Sequence, residues 1–347
     1  MAQAVVNGEV SSNLRYKQGY CSMVKDCRFT YISILRVTAM LMVVINHCLD
    51  YYTPIWHYPN SVQVPIYHVI AKVFRDIELP IFVFVSGFLY HYQLERKGYS
   101  NNLNFIKGKI KRLLIPFLTW AAVIVTFISN QTYIEFIVYG ASHLWFLGML
   151  LILFLIFHST RKIWTSFTAQ KDSIAFVVML FFSIMILRIP PNPGVIIHQV
   201  FAYMYIFYAG MMIHKYNIYL NLGNGKKYQV GGVIGLLAIV LLCSFDIKGG
   251  RYLIKLLMLW TIANIFAYAK SRQWNDNIVL RTFDTCSMGI YLIHHVIIEY
   301  LLTYSEMREL MNTYLWMPFV LFPILTMSSL ITTLIIKKIP YLKVTVG

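Results

Sequence analysis

The sequence predicts an all-α integral membrane protein with about ten transmembrane helices and both termini cytoplasmic. Three observations carry that expectation. Of 347 residues, 58% are hydrophobic and 13% charged, with a mean hydropathy of +0.61, whereas a water-facing domain carries about 25% charged residues. The apolar residues fall in runs of about 20, the length a helix needs to cross a hydrocarbon core roughly 30 Å thick. The basic residues alternate in density from one connection to the next, the asymmetry that orients helices in a membrane.

The apolar runs predict spans at approximately 29–49, 66–90, 112–130, 143–158, 173–189, 196–214, 229–245, 252–269, 286–303 and 314–336. Residues 1–28 are a polar cytoplasmic tail without the apolar core of a signal peptide, and 29–347 form one membrane domain. Connections such as TPIWHYPN, RIPPNPG and NLGNGKK are rich in the residues that make turns. Of 30 Lys and Arg, 22 fall on one side of the predicted membrane; only Arg188, Lys248, Arg251 and Arg308 fall on the other. The net charge of +16 is therefore mostly topological, and no nucleic-acid partner is expected. Five cysteines form no C-x-x-C pair or zinc spacing, so no metal is expected.

Ionisable groups inside spans are costly and mark function by default. In the first span Arg36 lies about two turns inside the cytoplasmic end and His47 near the outer end. Eleven residues separate them, ~16 Å along a helix, and eleven steps of about 100° return to nearly the same face. Either alone reads as a snorkelling or interfacial side chain; together they mark the two ends of a pathway. The second span brings Arg75, Asp76 and Glu78 near its outer end. Arg75 and Glu78 can pair at i, i+3, or the carboxylate can orient His47 or bind a hydroxyl-rich ligand. Pro80 is expected to kink this helix. Ser86-Gly87, near the cytoplasmic end, lets a neighbouring helix or a ligand approach closely. Lys107, Lys109, Lys111 and Arg112 form a basic entrance to the third span, and Arg112, four residues before Pro116, suits a phosphate-bearing cytosolic ligand. His143 and Trp145 open the fourth span at the outer interface. In the ninth, His294 and His295 point about 100° apart, so one cavity face takes at most one and the other serves as a packed hydrogen-bonder. No HExxH, GxSxG or P-loop stands in a usable context.

These segments together resemble the acyltransferase-three family of bacterial integral membrane acyltransferases, whose members modify surface and secreted glycans. The Arg-x10-His pattern of its first helix matches Arg36 and His47, and its SGF segment matches IFVFVSGFL at 81–89. Its basic element matches Lys111-Arg112 with Pro116, its WFL element matches His143-Leu144-Trp145-Phe146-Leu147, and its YiLH element matches Tyr291-Leu292-Ile293-His294. His295 departs from the pattern, standing where proline is common. No fused esterase-type domain follows the tenth span, so a stand-alone transferase is expected.

The resemblance implies transfer of an acyl group, usually acetyl, from cytosolic acyl-CoA to a hydroxyl of a glycan or lipid-linked glycan outside a bacterial cytoplasmic (inner) membrane. On this reading His47 and Arg36 are the catalytic pair, with acetyl-CoA as donor and no metal. Arg112, Lys111, Ser86 and Gly87 would hold the donor, while Glu78, Arg75, His143, Trp145 and His294 would face the acceptor. His47 would serve either as general base on the acceptor hydroxyl or as an acylated intermediate. Tyr51, Tyr52, Trp56, His57 and Tyr58 form an outer aromatic cluster suited to sugar faces or to the membrane belt. The alternative, a polysaccharide exporter or flippase, predicts a continuous cavity with several acidic or aromatic groups and broken helices at midplane; few mid-span acids are present.

Overall fold

The computed structural model describes residues 29–347 apart from 55, 57–60, 98–101, 130, 140–141, 191–193, 221, 224 and 246–248. The tail 1–28, His57, Tyr58 and Lys248 thus lie outside the described residues. All regular structure among the described residues is helical. The helices are α1 (Thr30–Asp50), α2 (Pro65–Arg75), α3 (Glu78–Lys97), α4 (Asn102–Lys109), α5 (Ile115–Phe127), α6 (Tyr133–Tyr139), α7 (Trp145–Ser159) and α8 (Arg161–Ser166). They continue with α9 (Ala169–Met185), α10 (Val195–Lys215), α11 (Gly225–Ser244), α12 (Gly250–Ser271), α13 (Ile278–Leu301), α14 (Ser305–Thr313) and α15 (Met317–Lys338).

Among the described residues, eight helical stretches are long and apolar enough to cross a membrane, or nine if α13 and α14, bent by 95°, count as one broken span. Helix α3 matches them in length but ends in the polar run HYQLERK, which keeps its mean apolarity down. The predicted second span is two helices. The chain breaks at Asp76 and Ile77, so Pro80 sits in the first turn of α3 rather than kinking a helix mid-way, where its missing N–H costs nothing. The third span starts earlier than predicted: α4 runs through a π-turn at Ile110–Leu114 into α5. Its lysines therefore ride on helix rather than loop. The ninth span likewise starts at Ile278, where Asn277 caps the helix by accepting from the backbone N–H of Leu280 at 2.8 Å.

Helix α1 is the hub, packed against α2, α3, α13 and α15, while α3 pairs with α10 and α11 with α12. The α3–α10 contact is unusually close. A Cβ added at Gly87 would overlap the carbonyl oxygen of Phe207, and one at Gly210 would overlap that of Phe84. Glycine at these two positions lets backbone touch backbone. Apolar side chains on α9 (Ile174, Val177, Phe181) and α11 (Val233, Leu237, Leu241) face outward, as a lipid-facing surface requires.

Candidate active site

Four histidines converge at the C-terminal end of α1. His47 Nδ1 lies 2.8 Å from His294 Nε2, and His294 Nδ1 lies 2.8 Å from the carbonyl oxygen of Ile290. A carbonyl only accepts, so His294 Nδ1 carries the hydrogen; in a neutral ring Nε2 is then an acceptor. That acceptor takes the Nδ1–H of His47 and leaves His47 Nε2 with the lone pair. The fold thereby sets the tautomer of His47 through two successive hydrogen bonds. Trp56 stacks on the His47 ring at 5.8 Å, and His295 meets it edge-on at 4.6 Å. His143 stacks on His295 at 4.0 Å, and its carbonyl oxygen accepts from the Tyr291 hydroxyl.

His47 lines a cavity of about 320 Å³, whose walls include Asn46, Asp50, Trp56, Arg75, Glu78, His143, Trp145, His295 and Glu299. Arg75, Glu78, His143 and Trp145, the residues expected to face an acceptor, all line this cavity. His294 does not reach the wall. It is fully buried behind His47, and His295 occupies the cavity face instead. Glu78 is buried, with Oε1 accepting from Asn46 Nδ2 at 3.3 Å while Oε2 and Asn46 Oδ1 have no partner among the described residues. Unpaired buried oxygens beside a cavity are costly unless a ligand hydroxyl or a water satisfies them.

The expected Arg75–Glu78 pair does not form. The break between α2 and α3 places them on different helices, and Arg75 instead bonds Asp50 Oδ1 at 2.8 Å. Asp50, Asn46 and Glu299 are functional candidates that the sequence reading passed over, whereas His295 was weighed there beside His294. Asp50 had a signal, since an acid three residues after His47 falls on nearly the same helical face. Glu299 Oε2 lies one turn away, 3.4 Å from His295 Nδ1, without a formed hydrogen bond.

A second cleft, about 290 Å³, adjoins the first and shares Arg75 with it. Among the described residues, Lys72, Arg251 and Lys255 line it together with one acid, Asp76. Its charge balance favours an anion.

At the opposite end of α1, Arg36 is not a lone cation. Its Nε bonds Asp284 Oδ1 of α13 at 2.8 Å, and a second guanidinium nitrogen bonds the same oxygen. Ser33 Oγ donates to Asp284 Oδ2 at 2.8 Å. Arg36 is 30% exposed and Asp284 6%, so the pair stands at the edge of the bundle with one face accessible. Lys111 and Arg112 are exposed on the π-turn. The C-terminal turn Lys343–Val346 packs between that turn and α13, where Thr345 O accepts from Trp120 Nε1 at 2.9 Å. Ser86 is half-buried on α3, whereas Gly87 is consumed by the contact with Phe207.

The arrangement defines a multi-pass helical membrane protein with a histidine-centred cavity at one end and an arginine–aspartate pair at the other. The family model for the acyltransferase domain matches residues 29–338. The chain belongs to the acyltransferase-three family and is a membrane acyltransferase. No curated protein and no solved structure matches it.

Proposed function

We propose that the protein moves an acyl group, acetyl in the simplest case, from cytosolic acyl-CoA to a hydroxyl of an extracytoplasmic glycan or lipid-linked glycan, from a bacterial inner membrane. The observation that carries this reading is the Ile290–His294–His47 chain at the wall of a polar cavity. It prepares one nitrogen, His47 Nε2, to take a proton. As the acceptor oxygen attacks the thioester carbonyl, His47 Nε2 removes the hydroxyl proton. The C–S bond then breaks, and the departing thiolate takes that proton from the imidazolium, giving an ester and the free thiol. The covalent route, in which His47 Nε2 itself attacks and is acylated before the acceptor hydroxyl takes the acyl group, uses the same lone pair.

Arg36, with Lys111 and Arg112 at the same end, suits the donor's phosphates and polar arm; Ser86 would contribute a hydroxyl there. Glu78, Asn46, His143 and Trp145 suit hydroxyls and the apolar face of a sugar. The cationic cleft beside Arg75 favours an acceptor that carries a phosphate or carboxylate.

The test is acetyl-CoA turnover by purified protein in lipid nanodiscs, with glycan or lipid-linked glycan extracted from the producing cell as acceptor. Wild type should form an acyl ester, and His47→Ala should form none while still binding acetyl-CoA. Wild-type rates in His47→Ala would end the assignment of His47.

A further inference from the structure

We propose that His91, Glu95 and His214 form a divalent-metal site, apt for zinc, at the end of α3 and α10 remote from the His47 cavity. His91 and Glu95 stand at i and i+4 on α3, one above the other. His214 reaches them from the last turn of α10. The two Nδ1 atoms lie 3.0 Å apart, and His214 Nδ1 lies 3.6 Å from Glu95 Oε2. All three ligand atoms fall within 4.8 Å of one another. Bonds of 2.0–2.1 Å in a tetrahedron put neighbouring ligand atoms about 3.3 Å apart, a value the two closer separations bracket. His214 Nδ1 faces the other imidazole and the carboxylate at once. One nitrogen has a single hydrogen or a single lone pair to offer, so it serves both neighbours fully only with a cation between them.

The surroundings fit such an ion. His91 and His214 are 5% and 3% exposed, and the rings of Phe88 and Tyr219 pack on His214 at 5.1 and 5.3 Å, a dry shell on the inner side. Glu95 is 60% exposed, giving entry and a fourth position for water. Gly87 and Gly210 hold the two helix backbones in contact a turn away, so the histidines meet in a fixed frame. Seventeen residues of α3 separate Glu95 from Glu78, about 25 Å; the ion would pin two helices there and touch no reacting atom. Sequence spacing gave no hint of metal because the two histidines are 123 residues apart.

The test uses the tag-free full chain, stripped with chelator, dialysed and titrated in detergent with Zn²⁺ by calorimetry and with Co²⁺ by visible absorption. About one ion per chain should bind, and Co²⁺ should give the intense d–d bands of low coordination. Glu95→Gln, at an exposed side chain that leaves the apo melting temperature unchanged, should weaken binding about tenfold or more. His214→Gln should abolish it. If wild type takes up no more metal than the His91→Gln/His214→Gln double variant, or if Glu95→Gln binds as tightly as wild type, the site does not exist as described.

Discussion

His294 stands directly behind His47, its Nε2 2.8 Å from the Nδ1 of the other ring. Two histidines that belong to separate helices and separate sequence motifs are therefore one hydrogen-bonded unit, with the Ile290 carbonyl as its anchor. The consequence is a division of labour in which one ring meets the substrate and the other fixes which nitrogen does so.

Replacing His294 should accordingly act on chemistry and not on binding. His294→Ala removes the acceptor for His47 Nδ1–H and frees both tautomers. Turnover should fall by about 10²–10⁴-fold, the range associated with a positioned base, while acetyl-CoA affinity stays within twofold or so of wild type. His294→Gln, whose side-chain oxygen can accept the same hydrogen, should recover part of the rate. Equal kcat for all three proteins would show that His294 serves packing alone.

The Arg36–Asp284 pair alters what the loss of Arg36 should do. Taken from the sequence, deleting a cation from a span eases insertion; in the structure it strips a carboxylate of its guanidinium. Arg36→Ala and Asp284→Asn should each cost roughly 1–3 kcal/mol of stability, less than a fully buried pair would lose because Arg36 keeps 30% of its surface. The double variant should be more stable than the sum of the singles predicts. Thermal unfolding of the four proteins in one detergent measures this, and simple additivity would mean that the two side chains do not support each other.

In the cleft beside the cavity, Arg251→Gln and Lys255→Gln each remove one cation from the wall. Each should raise KM for an anionic acceptor about 5–10-fold, equivalent to ~1 kcal/mol per charge, with kcat unchanged. Added salt should weaken wild type more than the double variant. Kinetics with an acidic acceptor and its neutral counterpart decide the matter; identical shifts for both would remove the cleft from acceptor recognition.

Gly87→Ala and Gly210→Ala place a methyl group against the opposing carbonyl. Forcing the backbones apart should cost about 1–3 kcal/mol or more, lowering the melting temperature and the yield of monodisperse protein. A melting temperature equal to that of wild type would mean that the helices can separate freely.

Much of this was legible in the sequence, for stated reasons. Apolar run length located most of the helices long enough to cross a membrane, because hydrocarbon thickness acts on each helix separately. Arg36 and His47 were recoverable as one face because both ride on a single helix whose geometry is fixed. What stayed hidden depends on contacts between distant helices. Asp284 lies 248 residues from Arg36, and nothing local distinguishes it from an ordinary acid near a helix start. The division between His294 and His295 was foreseen as a necessity of angle, but the rotation of α13 that decides which ring faces the cavity is set by packing against α1 and α15. The break at Asp76 was missed because the flanking charges read equally well as a polar patch on one continuous helix.

The closeness of Gly87 to Phe207, and of Gly210 to Phe84, has a mechanical corollary. Two helices whose backbones interlock at two successive levels resist sliding and hinging against each other, so α3 and α10 move as a single stiff beam. A carrier that ferries a whole glycan must rock one half of its body against the other, and a beam of this kind through the middle leaves less of the molecule free to rock. A transferase has no such need: the small acyl group travels while the scaffold around it stands still.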